Sequence, residues 1–282
     1  MTVAAPRRAF FRKSLVVPTE HGAWSWLLVP WLTGAVVGLA TPVSAPLPFL
    51  ALLLTLVGGL SAYMIRQPAT AWVRIRRGRG RKADQPLALG WTLGFSLVAL
   101  LCLLGLFLLG RVALLGLAIP FAVILVAYLL AARRGRAAMR SLWMELAGAA
   151  GLALTASAAY IAVTGQLTPT ALALWGLMAL QNVTGVFYVR QRLAGPKEHD
   201  ANRGLTLWGH AAAFAVVAAT SALGWTPWLA AVPFAGFLAR GLWAVQQPRP
   251  VPNMKRFGFT EIGVELLGGA LIAAGYLLLV GL

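Results

Sequence analysis

Nine stretches of about 20 predominantly apolar residues follow one another along this chain, and the segments between them carry charges that are almost all basic. A stretch of that length crosses the ~30 Å hydrocarbon core of a bilayer as a helix. Lipid offers no partner to main-chain polar groups, so each stretch must satisfy its own by folding helically. The helices are expected near residues 23–40, 47–65, 87–109, 112–132, 142–163, 171–189, 205–223, 228–245 and 259–280. Composition agrees: 60% of residues are hydrophobic and 11% charged, against roughly a quarter charged in ordinary soluble domains. The chain is thus predicted to be an all-α, polytopic membrane protein of about nine transmembrane helices. An N-terminal segment, 1–22, precedes a single transmembrane domain, 23–282.

A formal charge of +17 would suggest nucleic acid as the partner of a soluble protein. Here the bases lie in loops between apolar runs, so they read as topology signals, with the lipid bilayer as partner and no nucleic acid. On a nine-helix path the groups around Arg7, Arg74–Lys82, Arg133–Arg140, Arg190–Arg203 and Arg249–Arg256 fall on one side, and Arg111 falls on the other. The positive-inside rule then places the protein in the cytoplasmic (inner) membrane with a cytoplasmic N-terminus and an external C-terminus. The first apolar run is too long for a secretory signal, so the N-terminus is expected to be retained. One cysteine, Cys102, excludes a disulfide or cysteine-based zinc site within one chain. Oligomeric state is not legible.

The seven acids are more informative because the topology rule does not require them. Glu20, Asp84, Glu145, Glu198, Asp200, Glu261 and Glu265 all map to the basic side, as do His21, His199 and His210. A carboxylate within the bilayer costs about 2.5–3.5 kcal/mol at the centre, so such acids face a cavity or a partner. Glu145, Glu261 and Glu265 are in this position; Glu261 and Glu265 share a helix face, with Arg140, Arg240 and Arg256 as candidate structural partners. A weak repeat accompanies them. Tyr63-Met64-Ile65-Arg66-Gln67 is echoed by Tyr188-Val189-Arg190-Gln191-Arg192, and the opening of the fifth helix by that of the ninth. Units 23–132 and 142–245 would be parallel four-helix repeats, with 259–280 restarting the pattern.

Candidate site residues follow from chemistry and position. Arg66, Arg190 and Arg192 could grip a phosphate or carboxylate through paired hydrogen bonds, with Tyr63, Gln67 and Tyr188 lining the same place. As an alternative they are interfacial, snorkelling side chains. Gln181 and Asn182 inside the sixth helix either line a polar path or hydrogen-bond between helices. Glu20 and His21 at the membrane entrance could exchange protons, or act as a helix cap and an interfacial residue. Trp24 lies beside them. No phosphate-binding loop, nucleophile elbow, zinc motif or Asp-x-Asp sequence is present, so no metal site is expected and no cofactor is indicated.

The stretch Pro18-Thr19-Glu20-His21-Gly22-Ala23-Trp24 resembles the Pro-Lys-Glu-His-Gly-Ala-Trp signature of the bacterial YwiC-like membrane proteins, with Thr19 in the lysine's place. Arg66-Gln67-Pro68, the Arg-rich loop that follows and the closing helix with Glu261 extend the likeness over most of the chain. The family implies a class and no established activity. The nine-helix layout, with polar ends on the second and sixth helices, is in turn similar to the UbiA-type prenyltransferases, where Asp-rich motifs at these ends hold magnesium against a prenyl diphosphate. Neither end carries an acid here, so that metal bridge does not carry over.

The leading expectation is a UbiA-like membrane protein that binds or transforms an anionic lipid-like, isoprenoid-type molecule in a cytoplasm-facing cavity. Arg66, Arg190 and Arg192 would hold the head, Tyr63 and Tyr188 orient it, and Glu20 with His21 move protons. Alternatives are a proton-coupled transporter of a small anion, using Glu145, Glu261 and Glu265, and a non-catalytic membrane assembly factor.

Overall fold

A computed structural model describes residues 11–18, 21–247 and 251–280. Every regular element among them is helical. In order, they are α1 (Lys13–Val16), α2 (His21–Ala40), α3 (Pro48–Arg76), α4 (Gln85–Leu108), α5 (Leu114–Arg134), α6 (Arg136–Met139), α7 (Leu142–Leu152), α8 (Leu154–Thr164), α9 (Pro169–Leu193), α10 (Pro196–Ala222), α11 (Ala231–Ala244) and α12 (Met254–Val280).

Among the described residues, eight helices are long and apolar enough to cross a membrane, α7 and α8 together counting as one. The apolar stretch expected at 228–245 is helical over Trp228–Ala244, but it is shorter than the others. At about 1.5 Å per residue it falls short of a ~30 Å hydrocarbon core.

Several helices also outrun their expected bounds. The helix expected to end at residue 65 continues to Arg76, so Arg66 and Gln67 lie inside it and not at its tip. The reason is a stripe at helical spacing: Ser61, Ile65, Ala69 and Val73 are all buried. The inserted Pro68 removes one main-chain donor but is itself buried in the same surface. The helix expected from 205 starts at Pro196, and the one expected from 259 starts at Met254. Hydropathy marks the part of a helix that lipid surrounds, whereas the polar turns beyond it stay helical.

The fifth span is broken. α7 and α8 meet at Ala153, and the carbonyls at the break find side-chain donors. Asn182 Nδ2 donates to Ala149 O at 3.0 Å, Trp175 Nε1 to Ala150 O at 3.0 Å, and Thr155 Oγ1 to Leu152 O at 2.8 Å. Irregular backbone at membrane depth is tolerated only when it is satisfied in this way.

The core lies where α2, α8, α9 and α12 pack, around Ala156, Ile161, Leu174, Met178, Phe234 and Ile272. α2 and α8 touch backbone to backbone: a Cβ on Gly34 would stand 2.0 Å from Ala156 O, and one on Gly38 3.3 Å from Tyr160 Cα. Without a hydrophobic force between helices in lipid, such close approach supplies the attraction. α4 and α5 instead turn large apolar side chains outward, among them Leu97, Leu100, Leu104, Ile119, Val123 and Leu130.

Contacts collect the basic segments at one end of the bundle. Arg12 pairs with Asp84 at 2.6 Å, Arg79 Nη1 donates to Arg133 O at 3.2 Å, and Arg192 Nη1 donates to Gln247 O at 3.2 Å. Arg111 belongs to the opposite end. It is 2% exposed, and its guanidinium donates to the carbonyls of Pro46, Leu109 and Ala162.

Candidate functional site

A cavity of about 960 Å³ opens among α2, α3, α5, α7, α9 and α10 at the basic end. Each element delivers its residues because its last or first turns pass the membrane-facing stretch. α3 brings Tyr63, Arg66, Gln67 and Arg74; α5 brings Tyr128; the α6–α7 corner brings Arg140 and Glu145; α9 brings Arg190. Phe121, Ile124, Leu125, Leu152 and Val186 supply an apolar wall.

Within it, Glu145 Oε2 accepts from Arg190 Nη1 at 2.7 Å, and both side chains remain about one-third exposed (37% and 34%). The Arg66 guanidinium lies 4.9 Å from the Tyr128 ring centre and 5.5 Å from that of Tyr63, a cation–π arrangement. Tyr128 in turn donates its hydroxyl to Met144 O at 3.0 Å. Gln67 Nε2 donates to Ser14 O at 2.9 Å, tying α3 to α1. Arg74 and Arg140 make no salt bridge among the described residues.

The structure therefore brings together Tyr63, Arg66, Gln67, Glu145 and Arg190 from the sequence candidates. Trp24 packs edge-on against Tyr63, ring centres 5.2 Å apart, while Trp26, two residues on, is the tryptophan that lines the cavity. Glu20 and the side chain of His21 lie outside the described residues.

The remaining candidates do not line the cavity: Gln181, Tyr188 and Arg192 of α9 meet α11 and α12, Glu261 and Glu265 lie on α12, and Asn182 fills a joint behind the cavity wall. Tyr188 stacks with Phe257, centres 6.0 Å apart, and the Arg240 guanidinium lies 3.6 Å over its ring. Arg240 pairs with Glu261, a partner that the sequence had offered for it. Arg192 lies over the Trp243 ring at 4.9 Å. Gln181 Nε2 donates to the main-chain oxygen of Glu265 at 2.9 Å and to its Oε2 at 3.0 Å; Trp26 Nε1 donates to Oε1 at 3.1 Å. Asn182 bridges Trp26 O and Ala149 O, each at 3.0 Å. His210 is buried against Gly241, its Nδ1 2.7 Å from Thr206 O. Sequence reasoning passed over Arg74 and Arg140 as loop charges and Trp26 in favour of Trp24. Helical spacing places Trp26 one turn from Ala23, another lining residue.

Long apolar helices, a lipid-facing surface of leucine and valine and a polar end define a polytopic integral membrane protein. A family model described as YwiC-like protein matches residues 17–160, just over half of the 282-residue chain, and the chain belongs to that family. The match takes in α2 to α7 and so the Arg66 and Glu145 walls of the cavity; Arg190 and α12 lie beyond it. No curated protein and no solved structure matches the chain. The comparisons lend no support to the expected likeness to UbiA-type prenyltransferases.

Proposed function

We propose that this protein binds the anionic head of an amphipathic, isoprenoid-like lipid in the basic-end cavity, with the chain of that lipid against the apolar wall. One observation carries the reading: Arg66, Arg74, Arg140 and Arg190 converge on a space that Phe121, Ile124, Leu125 and Val186 close on another side. Guanidinium groups match phosphate or carboxylate in pairs. Four bases against Glu145 and Glu198 leave the lining positive. The partly exposed Glu145–Arg190 pair contributes at most about 1 kcal/mol, so an incoming anion displaces the carboxylate at small cost. A cytoplasm-facing mouth, nine spans and a UbiA-like layout belong to the same proposal and draw on the one-sided bases.

Purified protein titrated with farnesyl diphosphate, dodecyl phosphate and uncharged dodecanol tests it by calorimetry. Both anions should bind and dodecanol should not, with and without a metal chelator. Arg190→Gln should weaken dodecyl phosphate about tenfold, a loss of about 1.4 kcal/mol, whereas Glu145→Gln should tighten it by freeing Arg190. Equal binding of dodecanol, or indifference to both substitutions, would sink the proposal.

A further inference from the structure

Glu265 is the buried acid among the described residues, and it has no charge partner there. It is 5% exposed in the middle of α12, between α2 and α9, and makes no salt bridge among the described residues. The nearby cation, Arg240 of α11, is taken by Glu261 one turn earlier. Its carboxyl oxygens receive one neutral donor each, the Trp26 indole and the Gln181 amide. Beside it stands the converse defect. Gln181 is 2% exposed and its Oε1 has no hydrogen-bond donor. That oxygen faces α12 one turn beyond Glu265, where a Cβ on Gly268 would come within 2.5 Å of it.

One proton removes both defects. A buried carboxylate without a cation and a buried acceptor without a donor are each costly in a low-dielectric interior. A proton on Glu265 Oε2 neutralises the first and donates to the second, while the Trp26 indole continues to donate to Oε1. We infer that Glu265 is an intramembrane proton-binding site, with the Gln181 amide oxygen as the acceptor for that proton and the Trp26 indole as the donor to the other carboxyl oxygen. Trp26 also lines the cavity, so the site adjoins it, yet the inference stands whatever the cavity holds.

Other charged and titratable groups around the site are already engaged. On α12, Glu261 is held by Arg240. On α9, Tyr188 lies under Arg240, and Arg192 is held over Trp243. His210 of α10 contacts Gly241 and the carbonyl of Thr206, and α2 carries no titratable residue other than His21, whose side chain lies outside those described. Tyr276 lies farther along α12.

Infrared difference spectra of the full chain in liposomes, recorded across pH, test the inference. Near neutral pH a carbonyl-stretch band of a protonated carboxylic acid should appear, shift in deuterated water, fade as pH is raised and be missing in Glu265→Gln. Trp26→Phe keeps the carboxyl and removes the donor to its carbonyl oxygen, so the band should move to higher frequency; this assigns it even if Glu265→Gln does not fold. A Glu265→Gln spectrum identical to that of the native protein, a band that persists at every pH, one that sodium abolishes at constant pH, or one that Trp26→Phe leaves in place would overturn it.

Discussion

At the scale of single residues, charge serves two separate ends in this molecule. Arg111 is spent on structure: its fork closes on the carbonyls of Pro46, Leu109 and Ala162, which come from three different segments of the end opposite the cavity. Hydrogen bonds to a charged donor contribute about 1.5–3 kcal/mol each. Arg111→Ala is therefore expected to cost about 3 kcal/mol or more, read as a lower unfolding temperature in detergent. Arg111→Lys should recover little of it, because an ammonium group cannot span the same three acceptors. Arg190 is the contrasting case, held by one partly exposed carboxylate at the edge of the cavity. Asn182 resembles Arg111: both carbonyls that it contacts are main-chain, which makes it a joint between α2, α7 and α9.

At the scale of elements, the tightest contact is α2 on α8. Gly34→Ala would bring a methyl group to 2.0 Å from Ala156 O, a main-chain atom that no side-chain rotation can move aside. A cost of about 3 kcal/mol is expected, whereas Gly90→Ala in α4, where a Cβ meets nothing within 4 Å, should be neutral or gain up to about 1 kcal/mol from helix propensity. Thermal unfolding of the two variants side by side checks this. Most elements were legible from hydropathy because lipid-facing turns are nearly all apolar. The ends were not, since Ala69 and Val73 carry α3 onward among arginines that a hydropathy window averages away. Nor was the break at Ala153, which no proline announces in Gly151-Leu152-Ala153-Leu154. The site was legible in part. Tyr63, Arg66, Glu145 and Arg190 do meet, but Arg190 and Arg192, grouped because they are neighbours in sequence, point to different faces of α9. Two residues at about 100° each explain the divergence.

For the molecule as a whole, the open quantity is the parity of its spans. If Trp228–Ala244 crosses the bilayer by locally thinning it, the chain has nine spans and its ends lie on opposite sides. Cysteine-accessibility labelling on a Cys102→Ser background is expected to find residues near Arg12 and near Leu279 on opposite faces, with Arg79, Arg133 and Arg203 on the side of Arg12. Labelling of both ends from one face would remove the ninth span and the UbiA-like layout with it. The break in the fifth span has a mechanical meaning at this scale. α8 is buried along most of its length and locked to α2, a fixed post, while α7 buries only Ala149 and carries Glu145 at its far end, a short arm jointed to that post. That arm is braced from outside, by Asn182 at Ala149, Trp175 at Ala150 and Tyr128 at Met144, so side chains of neighbouring helices, and not an unbroken helix, hold Glu145 against Arg190.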